Sequence, residues 1–161
     1  MRPLEQLIIN PEGKHVALKL PIAGTSQCVG FARRWLEHKL DLTFAEVHSA
    51  ADIWQQVTTY KHCSDGTVFY TVNRDNGHTQ APQFGDLIIY NRCLDGNGHV
   101  AVVTAINQRL STISVAEQNF MNRYQAPGTQ RQIPYLITRN RFQLLQAHII
   151  GWKHVCISNH T

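Results

Sequence analysis

Charge is scarce in this 161-residue chain: Asp, Glu, Lys and Arg together make up 16% of it, against 43% hydrophobic residues. That balance excludes a self-repelling disordered chain and predicts a globular one. Long apolar runs are missing as well, and without a stretch able to span a bilayer no membrane segment is expected. The N-terminus has no basic segment followed by an apolar one and a cleavage site. The expectation is therefore a cytoplasmic protein, with export by a route that needs no cleavable signal left open. Cysteine is sparse and scattered, at Cys28, Cys63, Cys93 and Cys156, with no C-x-x-C pair. Neither a disulfide framework nor a structural zinc site is expected from that spacing, although His62-Cys63 and His154-Val155-Cys156 bring potential ligands near one another. The formal charge of +4 is modest and its carriers dispersed, apart from Arg131, Arg139 and Arg141. This reads as a solvated face rather than a nucleic-acid footprint. Repeats, linkers and low-complexity tracts are absent, so residues 1–161 are expected to form a single domain with a real core. Nothing in the sequence fixes an oligomeric state.

What the chain does have is one strongly patterned stretch, Ser26-Gln27-Cys28-Val29-Gly30-Phe31-Ala32-Arg33-Arg34-Trp35-Leu36. At helical spacing Cys28, Ala32, Trp35 and Leu36 share one side, Val29 and Phe31 flank it, and Arg33, Arg34 and Glu37 take the other. Thr25 or Ser26 can cap the helix after the loop marked by Pro21 and Gly24, which puts Cys28 in the first turn. Unpaired N–H groups and the positive end of the helix dipole favour an anion there, so a thiol at that point ionises readily and becomes a nucleophile. A buried cysteine also serves as a small core hydrophobe. The helix alone leaves both readings open.

In chain order, Leu7 to Asn10, Pro11-Glu12-Gly13 and His15 to Leu20 read as strand, turn and strand. The Cys28 helix runs to about Leu40. Phe44, Val47, Ala51, Trp54 and Val57 predict a second helix over residues 44–57. Lys61 to Gln83 reads as a long loop with one strand around Val68-Phe69-Tyr70. The pattern then turns to strands: Leu87 to Tyr90, a turn over Asn91 to Gly98, His99 to Ile106, a loop over Asn107 to Leu110, Ser111 to Phe120, and His148 to Trp152 near the end.

The hairpin carries an inference about side chains. A turn centred near Arg109 opposes residues whose numbers sum to about 218, which sets His99 across from Asn119 and diagonal to Glu117, within side-chain reach. A histidine and a carboxylate meeting at the open end of a hairpin are the base and orienter of a nucleophilic site. The other reading has His99 capping its strand and Glu117 solvated, and a one-residue slip in register spoils the meeting.

Taken together, Gln27-Cys28-Val29 with Phe31-Ala32-Arg33-Arg34, Gly85 with Leu87-Ile88, Gly98 to Thr104, Val115-Ala116-Glu117-Gln118-Asn119 and Ile150-Gly151-Trp152 resemble the CHAP family of cysteine- and histidine-dependent amidohydrolases and peptidases. Within that family the chain is similar to the amidase domain of bifunctional glutathionylspermidine synthetase/amidase. The matching stretches follow the family's order over residues 27 to 152. The resemblance implies an α+β, papain-like fold of the NlpC/P60–CHAP type, with an N-terminal helix bearing the nucleophile against an antiparallel β-sheet. It further implies Cys28 as nucleophile, His99 as general base and then acid, and Glu117 as the group orienting His99. Asn119 and Gln27 become candidate polar or oxyanion donors and Arg33 a candidate substrate contact. No metal or organic cofactor is called for. Such a site hydrolyses an amide through an acyl-enzyme.

Two departures bear on the substrate. Gly30 stands where the resembling amidases commonly have Glu, and the segment before Gln27 is shorter than theirs. No ATP-using synthetase domain follows within the 161 residues, which implies a free-standing hydrolase. The expected substrate is an amide joining a peptide to an amine, of the glutathionylspermidine kind. Peptidoglycan cross-bridge or stem peptides are the alternative, and a non-catalytic binding domain on the same fold is a reading of another class.

Overall fold

The computed structural model describes residues 5–9, 15–19, 27–118 and 130–157. Two short strands, β1 (Glu5–Ile9) and β2 (His15–Lys19), pair antiparallel as expected from the turn residues between them. Helix α1 (Gln27–Leu40) follows and buries Cys28, Val29, Phe31, Ala32, Trp35 and Leu36. Its apolar stripe is therefore wider than the four-residue side read from periodicity, taking in Val29 and Phe31. These residues share one core with Leu87, Ile89, Val100 and Val102.

Among the described residues, those four belong to a nine-stranded antiparallel sheet built from β3 (Leu42–Thr43), β4 (Thr59–His62), β5 (Val68–Asp75), β6 (Leu87–Tyr90), β7 (His99–Asn107), β8 (Thr112–Ala116), β9 (Arg131–Thr138), β10 (Arg141–Leu144) and β11 (Ile149–Val155). Its order is β10-β9-β8-β7-β6-β11-β5-β4-β3. Alternation along the central strands splits the core in two: Leu87, Ile89, Val100 and Val102 face α1, while Ile88, Tyr90, Ala101, Val103 and Trp152 join Ile113, Val115, Ile133 and Tyr135 on the opposite face. The α+β expectation thus resolves into a mostly antiparallel β structure with few helices.

The helix expected over residues 44–57 is the main correction. Only a 3-10 turn at Ala50–Asp52 and the one-turn helix α2 (Ile53–Gln56) form there. The Phe44 carbonyl, which a helix would use internally, instead accepts a bond from Arg33 Nε at 2.9 Å, and Ser49 is extended at φ −140° and ψ 160°. The buried positions Phe44, Val47, Ala50 and Ile53 recur every third residue, a spacing that imitates a helical stripe without requiring one.

Strands β3, β4, β9 and β10 lie outside the strands expected from the sequence, and β5 extends well beyond Val68-Phe69-Tyr70. In β5 the outward residues Val68, Tyr70 and Val72 are apolar, so alternation of side chains between faces does not show as alternation of polarity.

 Lys153 and His154 carry β11 past Trp152 because both polar groups find partners inside. The buried Lys153 ammonium donates to the carbonyls of Val57 and Trp54 and to Asn73 Oδ1, the last at 2.7 Å, and burial pulls its pKa down to about 8. His154 Nδ1 lies 2.7 Å from Asp86 Oδ1. Among the described residues no helix is long and apolar enough to cross a membrane.

Candidate active site

Four neighbouring strands and one helix converge on a single cluster. Cys28 is the second residue of α1, buried beneath a first turn that holds no acidic residue. The other three cysteines are exposed, and none of the four forms a disulfide. His99 opens β7, directly opposite Tyr90 of β6. It is placed there by Gly98, whose φ of +74° is open to glycine, and where a Cβ would lie 2.4 Å from the Tyr90 carbonyl oxygen.

The β7–β8 register sets Val102 against Ala116 and Val103 against Val115, so Glu117, one residue beyond β8, falls diagonal to His99 as the hairpin geometry predicts. An irregularity between Val103 and Ala105 takes up one residue nearer the turn and leaves this end in register. The two side chains meet, His99 Nε2 lying 2.8 Å from Glu117 Oε1. Both are buried, Glu117 with 0% of its side chain exposed, which removes the reading of a solvated glutamate. The His99 side chain is also in hydrogen-bond contact with Cys28.

Arg131, the first residue of β9, sits opposite Val115 and reaches diagonally to Glu117. Its Nε donates to Glu117 Oε2 at 2.7 Å and its Nη2 to Oε1 at 2.8 Å. The same guanidinium donates to Gln146 Oε1 at 2.7 Å and to the Tyr90 hydroxyl at 2.8 Å, and Tyr90 in turn bonds Gln146. The Tyr90 ring stands edge-on to the His99 imidazole with centroids 5.3 Å apart. Arg131 is therefore part of this cluster and not of a solvated basic face. Sequence reasoning missed it because residues 130–138 were not read as a strand. The signal was present: Arg131, Ile133 and Tyr135 share one face of β9, and pairing with β8 carries Arg131 to Glu117.

The electrostatics follow from the contacts. Burial pulls the His99 imidazole down, but the hydrogen bonds and charges of Cys28 and Glu117 outweigh it and leave its pKa above the ordinary histidine value. Burial likewise pushes the Glu117 carboxyl up, and the bonds and charges of His99 and Arg131 overcome that, holding it below the ordinary glutamate value. A buried thiol, an imidazole inclined to hold its proton and an ionised carboxylate can together form a thiolate–imidazolium pair.

The remaining sequence candidates lie at the edge of the cluster or outside it. Gln27 is half-buried at the first position of α1. Arg33 points to the loop after α1, bonding the Phe44 carbonyl and pairing with Glu46 at 3.2 Å. Asn119 lies outside the described residues. Gly30 has nothing within 4 Å of the position a Cβ would occupy.

Residues 21–119 match the model of the CHAP domain family, which is more than half of the chain. The chain belongs to the CHAP domain family. CHAP domains are usually hydrolytic amidases or peptidases, acting on small-molecule or peptide substrates. This CHAP domain is also similar to named proteins: it is 30% identical over 95 residues to the glutathionylspermidine synthase of Crithidia fasciculata, a match covering 58% of this chain and 13% of that protein. It is 26% identical over 134 residues to the bifunctional glutathionylspermidine synthetase/amidase of Escherichia coli (strain K12), covering 78% of this chain and 21% of that protein, and the Shigella flexneri protein of the same name matches with the same figures. The chain thus spans about a fifth or less of the length of these relatives.

Proposed function

We propose that this CHAP domain is a cysteine-dependent amide hydrolase of papain-like arrangement, with Cys28 as nucleophile, His99 as general base and then acid, and Glu117 as the residue that orients His99. The observation that carries this reading is the continuous contact from Cys28 through His99 to Glu117 in a buried setting. In the reaction the Cys28 thiolate attacks the amide carbonyl, and the resulting oxyanion takes hydrogen bonds from the Cys28 backbone N–H at the start of α1 and from Gln27. Protonated His99 gives its proton to the departing amine, the C–N bond breaks, and an acyl-thioester remains on Cys28. Water, deprotonated by His99, then attacks the thioester and releases the acid. Asn119, two residues beyond Glu117, is a further polar donor in this scheme. Arg33 becomes a substrate contact when its exposed pair with Glu46 opens, a change that costs little for a surface ion pair.

The proposed substrate is an amide between a peptide carboxyl and an amine, of the glutathionylspermidine kind, supported by the names of the relatives. The test is incubation of the purified chain with glutathionylspermidine and mass-spectrometric measurement of spermidine and glutathione release, alongside clearing of a cell-wall suspension. Release that disappears in Cys28→Ala is expected. Wall clearing without glutathionylspermidine turnover would move the substrate to peptidoglycan peptides. Inactivity on both, together with a Cys28 no more reactive than the exposed cysteines, would make the chain a binding domain.

A further inference from the structure

Arg131 is more elaborately tied to the cluster than a strand-to-strand staple requires. One hydrogen bond would fasten β9 to the end of β8, yet the guanidinium engages both oxygens of Glu117 and also Tyr90 and Gln146. The charge count gives a reason. A thiolate, an imidazolium and a carboxylate sum to one negative charge, and burying that charge uncompensated is costly. The guanidinium brings the sum to zero. Its planar fork also fixes the carboxylate in the plane that presents Oε1 to His99 Nε2.

We infer that Arg131 is a positioning residue of this site, holding Glu117 ionised and aligned on His99 and so setting how far into acid the Cys28 thiolate survives. The inference rests on the proposed reading of Cys28, His99 and Glu117 as a catalytic set. The groups facing Glu117 are His99 from β7, Arg131 from β9 and Tyr90 from β6, with Cys28 of α1 beyond His99. Of these only Arg131 is a permanent cation at every pH of interest. Without it, the first proton taken up on acidification, whether by Glu117 or by Cys28, binds to a site carrying a net negative charge and therefore binds at higher pH.

The experiment is the pH dependence of Cys28 alkylation by iodoacetamide in the wild-type chain, Arg131→Gln and Arg131→Lys, with peptide mapping to isolate Cys28 from the exposed cysteines. The acid limb is expected to move up by about 1 to 3 pH units in Arg131→Gln, the size of effect a neighbouring opposite charge exerts. Arg131→Lys, which keeps the charge and loses the fork, should recover most of that shift. An unmoved acid limb in a folded Arg131→Gln chain reduces Arg131 to a staple and overturns the inference. Should Arg131→Gln fail to fold, the wild-type chain decides through the carboxyl carbon resonance of Glu117, assigned with Glu117→Gln. Titration below the ordinary glutamate range supports the inference, and titration within or above it overturns it. A wild-type Cys28 with no reactivity at low pH would instead sink the proposed function, while the Glu117 resonance still reports whether Arg131 holds the carboxylate.

Discussion

His99 Nε2 and Glu117 Oε1 lie 2.8 Å apart across the open end of the β7–β8 hairpin, in a diagonal rather than a directly opposed pairing. Diagonal neighbours are within reach of long side chains, and a glutamate is long enough where an aspartate would fall short. The pair extends on both sides, to Tyr90 and Cys28 beyond the histidine and to Arg131 beyond the glutamate. Adjacent strands β6, β7, β8 and β9 thus each contribute at or near one end to a single polar row, which closes against the start of α1.

Reactivity of the cysteines separates an activated thiol from ordinary ones. Iodoacetamide at pH 5 to 6 is expected to modify Cys28 selectively, although Cys63, Cys93 and Cys156 are the exposed thiols. The contrast should be sharpest with Cys63, whose pKa is raised by partial burial and by the carboxylates of Asp41 and Glu37. Peptide mapping reads the outcome, and labelling that follows exposure alone would remove the thiolate from the scheme.

Cys28→Ala should abolish turnover, by roughly 10⁴-fold or more, because the covalent step has no substitute. Loss of one sulfur atom from the buried start of α1 should cost only about 1 kcal/mol of stability. Comparison of specific activity with the thermal midpoint checks both halves, and retained turnover would displace the nucleophile assignment.

Glu117→Gln should lower kcat by roughly 10² to 10⁴-fold and leave measurable activity, since an orienting group acts through the base and not on the substrate. Its effect on stability should depend on pH with a definite sign. The Glu117 pKa is depressed in the fold, so its contribution is present above the ordinary value of 4.5 and fades as pH falls through the folded value. The His99 pKa is raised, so its contribution is full below the ordinary value of 6.5 and fades as pH rises through the folded value. The gap in thermal midpoint between the wild-type chain and Glu117→Gln should therefore be widest between pH 4.5 and 6.5 and narrow on either side. A gap independent of pH would mean that the pair is not ionised in the fold.

What could be read in the sequence was set by how local the information was. The Cys28 helix is legible through spacing within one element, and the His99–Glu117 contact through a single tight hairpin. Arg131 enters from a strand that follows residues 119–129, and no local pattern tied it to Glu117 before β9 was placed beside β8. Phe44 to Val57 misled for the opposite reason, because apolar residues at every third position fit a helix locally. The segment is shaped instead by tertiary bonds, from Arg33 to the Phe44 carbonyl and from the Ala51 amide to the Asn97 carbonyl at 3.0 Å. The burial of Lys153 is accounted for by the three oxygens around its ammonium, which come from distant parts of the chain and leave no local signal.

Two glycines near the site should respond in opposite ways to the same substitution. Gly30 lies within α1 with an empty space where a Cβ would go, so Gly30→Ala adds helix propensity without a clash and should raise stability by about 0.5 to 1 kcal/mol. At Gly98 the added Cβ would meet the Tyr90 carbonyl oxygen at 2.4 Å and the Ala51 amide nitrogen at 3.1 Å, in a backbone at φ +74°. Gly98→Ala should cost about 1 to 3 kcal/mol. Because the next residue is His99, relief of the clash by backbone movement would displace the imidazole from Cys28 and Glu117, so activity should fall by more than the loss of folded protein explains. Urea midpoints and specific activity corrected for the folded fraction measure the two effects. A Gly98→Ala chain with normal activity per folded molecule would show that this turn does not set the position of His99.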